Sequence, residues 1–470
     1  MPSSGLPALD LTRGPIGKTL LAFALPTLGS NALQSLNASV NAIWVGGYLG
    51  EAPLTAVTNS NAVLFLLMGV VFGIVMATGI MVGHAMGARD VDRAKRVVGS
   101  SAAFIVILSL LTALLGAATV RPILLLMGTP PDALPYAVSY MRLVFFATPA
   151  MFFYIYVAMT LRGAGDAKTP FIFMFVSVGL DIALNPLLIF GWGPVPALGI
   201  SGSALAMLIS QTTTLTAMLV LLYRRKHFLC IRRHELHYLR MDRAILKVLV
   251  LRGIPMGLQM IIVSSSMLAM LGLINHFGTD VTAAFGAAMQ LWTYIQMPAF
   301  AIGSAVTVMA AQSIGAGHWD RVARITWAGV GINGAITGAM IMLVYLFNHT
   351  AVGFFLPRDS TAIDIAAHIN AIVLWSFVLF GATMVLMGVV RSTGAVIGPL
   401  IILFGSMWLA RIPFAYAMAP RWQADAVWWS FPLGSVVALV LGYVYYRYGD
   451  WRKVQMMPQA KMPVPQAVES

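Results

Sequence analysis

The chain of 470 residues is 59% hydrophobic and only 10% charged, and 29 Lys and Arg against 16 Asp and Glu give a formal net charge of +13. Soluble domains average about 45–50% apolar and about 25% charged residues, so neither a string of soluble domains nor a disordered chain fits. The 43 Gly and 24 Pro exclude a simple coiled coil, and the one cysteine, Cys230, excludes a disulfide framework or a cysteine-rich metal site.

A bilayer core about 30 Å thick is crossed by about 20 mostly apolar residues. Runs of this kind, punctuated by Gly, Pro and charge, predict spans at 17–46, 53–82, 97–120, 135–160, 169–191 and 199–223. After a basic stretch they resume at 247–275, 282–312, 325–347, 363–390, 396–418 and 425–446. The expected fold is an all-α membrane protein with twelve transmembrane helices. Barrel strands are excluded, because these runs are long and uniformly apolar rather than alternating over about 10 residues. No small-residue cleavage site precedes Asn41, so the first run reads as a retained helix rather than a signal peptide.

The basic residues sort by side. Twenty-three fall in one set of alternate segments, including the 83–96 loop, the 224–247 connector and the tail. The other set holds only Arg121, Arg358 and Arg421. By the positive-inside rule both termini are cytoplasmic, in a multi-pass protein of the plasma or inner membrane. The same distribution accounts for the high net charge without nucleic acid, which is not an expected partner.

The sequence repeats itself. Met86-Gly87-Ala88 with Asp92-Arg93 and Arg96 recurs as Ile314-Gly315-Ala316 with Asp320-Arg321 and Arg324. Leu161-Arg162 with Gly165 and Pro170 recurs as Val390-Arg391 with Gly394 and Pro399, and Leu25-Pro26 recurs as Ile254-Pro255. The offsets are 228 or 229 residues. The expected division is an N-terminal lobe over 1–223, a basic connector over 224–246, a C-terminal lobe over 247–446 and a tail over 447–470. Six spans per half is an even number, so the pseudo-two-fold axis runs along the membrane normal, an arrangement found in transporters that rock two lobes about a central site. A pore or a membrane-embedded enzyme can be duplicated in the same way.

Fifteen of the 16 acids fall in loops, tails or helix ends; Asp181 lies inside the fifth span. It is about ten residues from Gly191, roughly 15 Å at 1.5 Å per residue. An acid at that depth costs several kcal/mol unless paired or protonated, and marks a functional site by default. Ser177 and Asn185 lie one turn to either side on the same face. In the first span Gln34, Asn37 and Asn41 form one polar stripe. Singly, such amides serve as interhelical glue; together with Asp181 they describe a wet cavity. In the second half, Gln290, Trp292, Tyr294 and Gln296 mix amides with aromatic faces that attract organic cations, although interfacial belts carry similar residues. Twenty-nine Met offer soft, adaptable surfaces. Arg411 lies deep in the eleventh span and is expected to pair with a carbonyl or a lipid phosphate. No nucleophile–base pair or His/Glu metal site accompanies Asp181, so an enzyme is not expected.

These residues resemble the multidrug and toxic compound extrusion (MATE) transporters over nearly the whole chain. The resemblance is carried by Val40-Asn41-Ala42-Ile43-Trp44-Val45-Gly46 with Leu49-Gly50, and by Leu161-Arg162-Gly163-Ala164-Gly165-Asp166-Ala167-Lys168-Thr169-Pro170. Leu184-Asn185-Pro186-Leu187, Gly199-Ile200-Ser201-Gly202-Ser203-Ala204 and Arg411-Ile412-Pro413 complete it. The first half is most similar to the DinF-like branch; the branch with an acid in the seventh helix is less similar, since Met256 to Ser266 contains no carboxylate. The resemblance implies a monomeric antiporter exchanging amphipathic organic cations against protons or sodium. The chain departs from the DinF-like pattern in three places. Asn41 stands where the first span has an acid, the fifth span reads Asp181 then Asn185 rather than the reverse, and Met207 holds a position that is often Thr.

A single carboxylate among amides is a poor cage for a metal ion and adequate for a proton, so protons are the expected coupling ion, with sodium the alternative and no cofactor or bound metal expected. A second alternative is export of a lipid-linked or polar metabolite on the same fold. Pro26 lacks an amide donor, and the resemblance implies that the first helix bends there; a static kink is the competing reading.

Overall fold

Twelve helical spans make up the described part of this computed structural model, residues 11–48, 51–191, 196–353, 355–356 and 361–456. Leu49, Gly50, Arg358 and the end of the tail from residue 457 lie outside those residues. The first six spans are α1 (Ile16–Tyr48), α2 (Glu51–Gly87), α3 (Val91–Leu126), α4 (Leu134–Gly163), α5 (Lys168–Phe190) and α6 (Ile200–Arg224). The second six are α7 (Arg243–Ile274), α8 (Thr279–Gly315), α9 (Trp319–Leu346), α10 (Ala362–Val373 with Ser376–Ser392), α11 (Ile397–Phe404 continued through Gly405–Arg411 to Ile412–Trp422) and α12 (Ala424–Tyr448). Between α6 and α7 the connector forms a short 3₁₀ helix, Arg233–Leu239.

Ten of these are long and apolar enough to cross a membrane alone, and the two pieces of α10 make an eleventh. The twelfth, α1, has 33 residues; Asn31, Gln34, Asn37 and Asn41 dilute its apolar character. In lipid a helix satisfies its own backbone groups, which is why such runs have no other stable form. The ends are set by polar side chains. Asp90 accepts from the Arg93 amide at 2.9 Å to start α3, Asp166 accepts from the Lys168 and Thr169 amides at 3.0 Å to start α5, and Asp242 accepts from the Ala244 amide at 2.8 Å to start α7.

Two spans differ from the regular helices expected. The run over 363–390 is bent by 48° between its two pieces; the Ser376 hydroxyl donates to the Val373 carbonyl at 2.6 Å beside the break, satisfying an acceptor there. The run over 396–418 contains a π-helical turn at Gly405–Arg411.

Three pairs of corresponding helices match in length: α1 and α7 have 33 and 32 residues, α2 and α8 both 37, α6 and α12 both 25. Their apolar cores divide by level. On the side carrying both ends of the described chain, one cluster joins Val75, Ile80, Val97 and Phe152 of the first half to Ile245, Leu249 and Ala311 of the second. Another joins Leu20 and Phe23 of α1 to Ile302, Val306 and Met309 of α8. On the opposite side the clusters stay within one half each. Val45, Val57, Leu124, Tyr140 and Phe145 form one; Met270, Phe285, Trp292, Ile369 and Trp428 form the other.

Small residues and hydrogen bonds close the shared level. A Cβ on Gly73 would run into the backbone of Gly253 and Gly257, and one on Gly87 into that of Gln312, so α2 meets α7 and α8 at backbone contact. The His84 ring Nε2 donates to the Ser392 carbonyl at 2.6 Å, Gln312 donates to the Gly163 carbonyl at 2.9 Å, and Arg321 donates to the Gly14 carbonyl at 3.1 Å. The two lobes are therefore sealed together on the terminal side, and each packs about its own core on the far side.

Candidate functional site

The fifth helix carries Asp181 into the interior of the first lobe. Asp181 is 4% exposed, and Ser177 and Asn185, one turn before and after it, are buried with it. The Asn185 side-chain amide is used locally, donating from Nδ2 to the backbone carbonyl of Asp181 at 2.9 Å. That bond fixes the rotamer of Asn185 and leaves its Oδ1 buried without a hydrogen-bond partner.

Two more buried acceptors share this condition. Asp181 Oδ1 and Asn37 Oδ1 have no hydrogen-bond partner among the described residues, and the Asn37 and Asn185 side chains both interact with the Asp181 carboxyl. α1 packs along α5 and supplies Asn37. The Asn37 and Asn185 side chains thus gather beside a carboxyl that keeps one oxygen without a partner, inside the first lobe. Burying such groups unpaired is costly, and a bound cation relieves the cost.

Asn41 is engaged elsewhere. Its Oδ1 accepts from the Ser203 hydroxyl of α6 at 2.8 Å, so it ties α1 to α6 one turn beyond Asn37. Met207 is half-buried in the cluster containing Tyr140, Ile200 and Ala204. Gln34, one turn before Asn37 on α1, is exposed. Pro26 is half-buried, and α1 continues as helix through it; the Ser30 hydroxyl donates to the Pro26 carbonyl at 3.0 Å.

The structure adds two residues to those singled out in the sequence. Tyr140 of α4 is 3% exposed and lies within electrostatic reach of Asp181. Ser203 holds Asn41. Ser203 sits inside the Gly199 to Ala204 motif and was visible there. Tyr140 lies in an apolar run, where one tyrosine is indistinguishable from an interfacial one until the packing is known.

In the second lobe the expected group divides. Gln290 and Tyr294, four residues apart, lie on an exposed face of α8, and Gln296 is half-buried. Trp292 points the other way and is 3% exposed, donating from Nε1 to Asn370 Oδ1 at 2.9 Å. A spacing of two residues on a helix cannot place Trp292 on the face of Gln290 and Tyr294. Asn370 in turn donates to Asn348 Oδ1 at 3.1 Å, so Trp292 anchors a structural network.

Arg411 is 7% exposed at the end of the π-helical turn. Its guanidinium carbon lies 3.5 Å above the centroid of the Phe431 ring. Nε and Nη2 are buried without a hydrogen-bond partner among the described residues, so the carbonyl pairing expected for them is not formed.

Comparisons with known proteins agree with this architecture and its repeat. The family model MatE matches residues 26–187 and again residues 255–417. "Probable multidrug resistance protein YoeA" of Bacillus subtilis (strain 168) is 37% identical over 94% of this chain and 95% of its own length. "Probable multidrug resistance protein YpnP" of the same organism is 30% identical over 96% and 99%. Among solved structures, the outward-facing conformation of a multidrug resistance MATE family transporter of the MOP superfamily superposes with a TM-score of 0.87, at 22% identity over 96% of this chain and 99% of that one.

Proposed function

The chain belongs to the MATE family of multi-pass membrane transporters, and on that premise we propose that it is a secondary antiporter exporting amphipathic organic cations against protons bound at Asp181. The observation that carries the reading is the buried carboxyl of Asp181, facing Asn37 and Asn185 with its Oδ1 unpartnered.

The cycle follows from charge. With both termini in the cytoplasm, as the basic loops suggest, the sealed level is cytoplasmic and the lobes part toward the outside. Proton entry from that side neutralises Asp181 and removes the attraction that holds a cation. After the lobes rock to the other side, loss of the proton restores the charge and the affinity. One charge crossing 100 mV is worth about 2.3 kcal/mol, about 50-fold in concentration at about 1.4 kcal/mol per decade. Burial of Asp181 makes the exchange obligatory, because an uncompensated carboxylate in the lobe costs more than either occupied state.

Proton coupling is favoured over sodium by the donor set. A compact sodium site gains from more than one carboxylate, and the side chains that meet the Asp181 carboxyl here are neutral amides. The relatives named as multidrug resistance proteins support export of drug-like molecules as the transported class. Efflux of a fluorescent organic cation from proteoliposomes, with proton and sodium gradients imposed separately, tests the reading. Efflux driven by the proton gradient alone, and absent in Asp181→Asn, is expected. Efflux driven only by sodium would overturn the proton assignment, and unchanged efflux in the variant would remove Asp181 from the mechanism.

A further inference from the structure

The second lobe repeats the plan of the Asp181 site with the charge reversed. The offset between the halves is 229 residues at Arg162 and Arg391 and again at Pro170 and Pro399. Just beyond Pro399 the second half passes through the π-helical turn Gly405–Arg411, and such a turn takes up one residue more than the α-helical path beside it. After the turn the offset becomes 230, which sets Arg411 opposite Asp181.

The next pair of helices gives its own register. α6 starts after Gly199 at φ 56°, ψ −134°, and α12 after Gln423 at φ 50°, ψ −131°; each then runs for 25 residues. Aligning these two starts sets Phe431 opposite Met207. The two residues in contact at 3.5 Å in the second lobe thus occupy the places that Asp181 and Met207 hold in the first.

None of the described acids of the second lobe balances the charge. Among its described residues the acids are Asp280, Asp320, Asp364 and Asp425, each in the first turn of a helix and so at the end of a span. Arg411 lies 14 residues from Ile397 and 11 from Trp422, about 21 and 17 Å along the helix at 1.5 Å per residue. At that depth it is remote from the phosphates of either bilayer surface. The guanidinium is a fixed planar fork of donors that matches a carboxylate or phosphate. Phe431 supports one face of it, and Gly434 lies against its aliphatic stem.

We propose that Arg411 and Phe431 form an oxyanion site inside the second lobe, which takes the carboxylate or phosphate group of transported molecules that carry one. The site widens the substrate class beyond simple cations and does not depend on how Asp181 is coupled.

The test uses two dyes with the same cationic ring system, rhodamine 19 with a free carboxylate and rhodamine 6G, its ethyl ester. Binding of each to the full chain is measured by fluorescence anisotropy in nanodiscs of zwitterionic lipid. Arg411→Gln is expected to weaken rhodamine 19 by about tenfold or more, the loss that follows removal of a charge-assisted hydrogen bond, with rhodamine 6G unchanged; unchanged ester binding also shows that the variant is folded. Arg411→Lys, which keeps the charge without the fork, should lose less, and Phe431→Leu should weaken rhodamine 19 selectively. Equal losses for both dyes, or no loss for either, would overturn the proposal. So would disappearance of the carboxylate preference in nanodiscs containing phosphatidylglycerol, which would assign the guanidinium to lipid phosphate. Asp181→Asn measured in parallel keeps the two sites apart: selective loss in the Arg411 variants stands whether or not the Asp181 variant changes cation affinity.

Discussion

Both lobes are built from six helices, yet they bury opposite charges in different company. Around Asp181 the neighbours are the neutral side-chain amides of Asn37 and Asn185. Around Arg411 the neighbour is the aromatic face of Phe431, backed by Trp292 with ring centroids 5.1 Å apart. On the proposed reading the first environment exchanges one cation for another, because its one carboxylate takes up a proton or attracts an organic ammonium in its place. The second cannot titrate usefully, since a guanidinium keeps its proton; it can only hold an anion or wait for one. A duplicated fold thus provides two frames, and on the proposed reading the proton cycle runs in the first.

The largest effect that would break this comparison is at Asp181. Replacing it with Asn removes the charge and keeps the shape, and gradient-driven efflux should fall to background while the protein remains in the membrane at normal abundance. A variant in which Arg411 is changed should retain proton-driven export of purely cationic dyes. Loss of that export would show that the lobes do not divide the work as described.

The next effect concerns the sealed level. Gly73→Leu places a side chain against the backbone of Gly253 and Gly257. Overpacking of this kind costs about 1–3 kcal/mol, which shifts the balance of lobe arrangements by roughly 5- to 150-fold. Spin-label distances across the terminal side should lengthen, and transport should fall by at least about tenfold. Unchanged distances would mean that this contact does not hold the lobes together.

A smaller effect is expected from the anchor in the second lobe. Asn370→Leu leaves the buried Trp292 Nε1 without its acceptor, at a cost of about 1–3 kcal/mol. Thermal unfolding should move down while cation affinity at the first lobe stays the same. A change in affinity without a change in stability would place Trp292 in the transport site after all.

The smallest effect lies in the connector. Lys95 Nζ sits 2.5 Å from Glu235 Oε1, and Tyr238 donates to Asp92, docking the 3₁₀ segment on α3. The Lys95 ammonium holds the Glu235 carboxyl below its usual range. A depressed acid stabilises the docked form above its undocked value and loses that contribution as pH falls through the docked one. Hydrogen exchange in Arg233–Leu239, taken relative to the intrinsic amide rate at each pH, should be flat from neutral pH down to about pH 5 and rise below about pH 4, the ordinary glutamate range being near 4.3. Lys95→Met should move that rise toward higher pH.

Much of this was legible because lipid imposes a simple rule. Twelve apolar runs, the basic loops and the repeat followed from composition, and the helices agree with the predicted spans to within a few residues at most ends. Asp181 stood out because an acid inside a span is rare. What escaped was everything decided by rotation about a helix axis or by a local break. Trp292 turns away from Gln290 and Tyr294, and Asn41 is held by Ser203. The bend between Val373 and Ser376 carries no proline to announce it. The π turn before Arg411 was hidden as well, since one extra residue leaves no mark on hydropathy, and with it went the correspondence between Arg411 and Asp181.

The central claim, that one buried carboxyl exchanges a proton for a cation, is tested most directly by counting protons. Purified protein in weakly buffered solution with a pH indicator should release protons when an organic cation binds, with the yield per cation rising toward one as the pH is lowered from 8 to 5, and the release should vanish in Asp181→Asn. Cation binding that releases no proton anywhere between pH 5 and 8 would contradict the account.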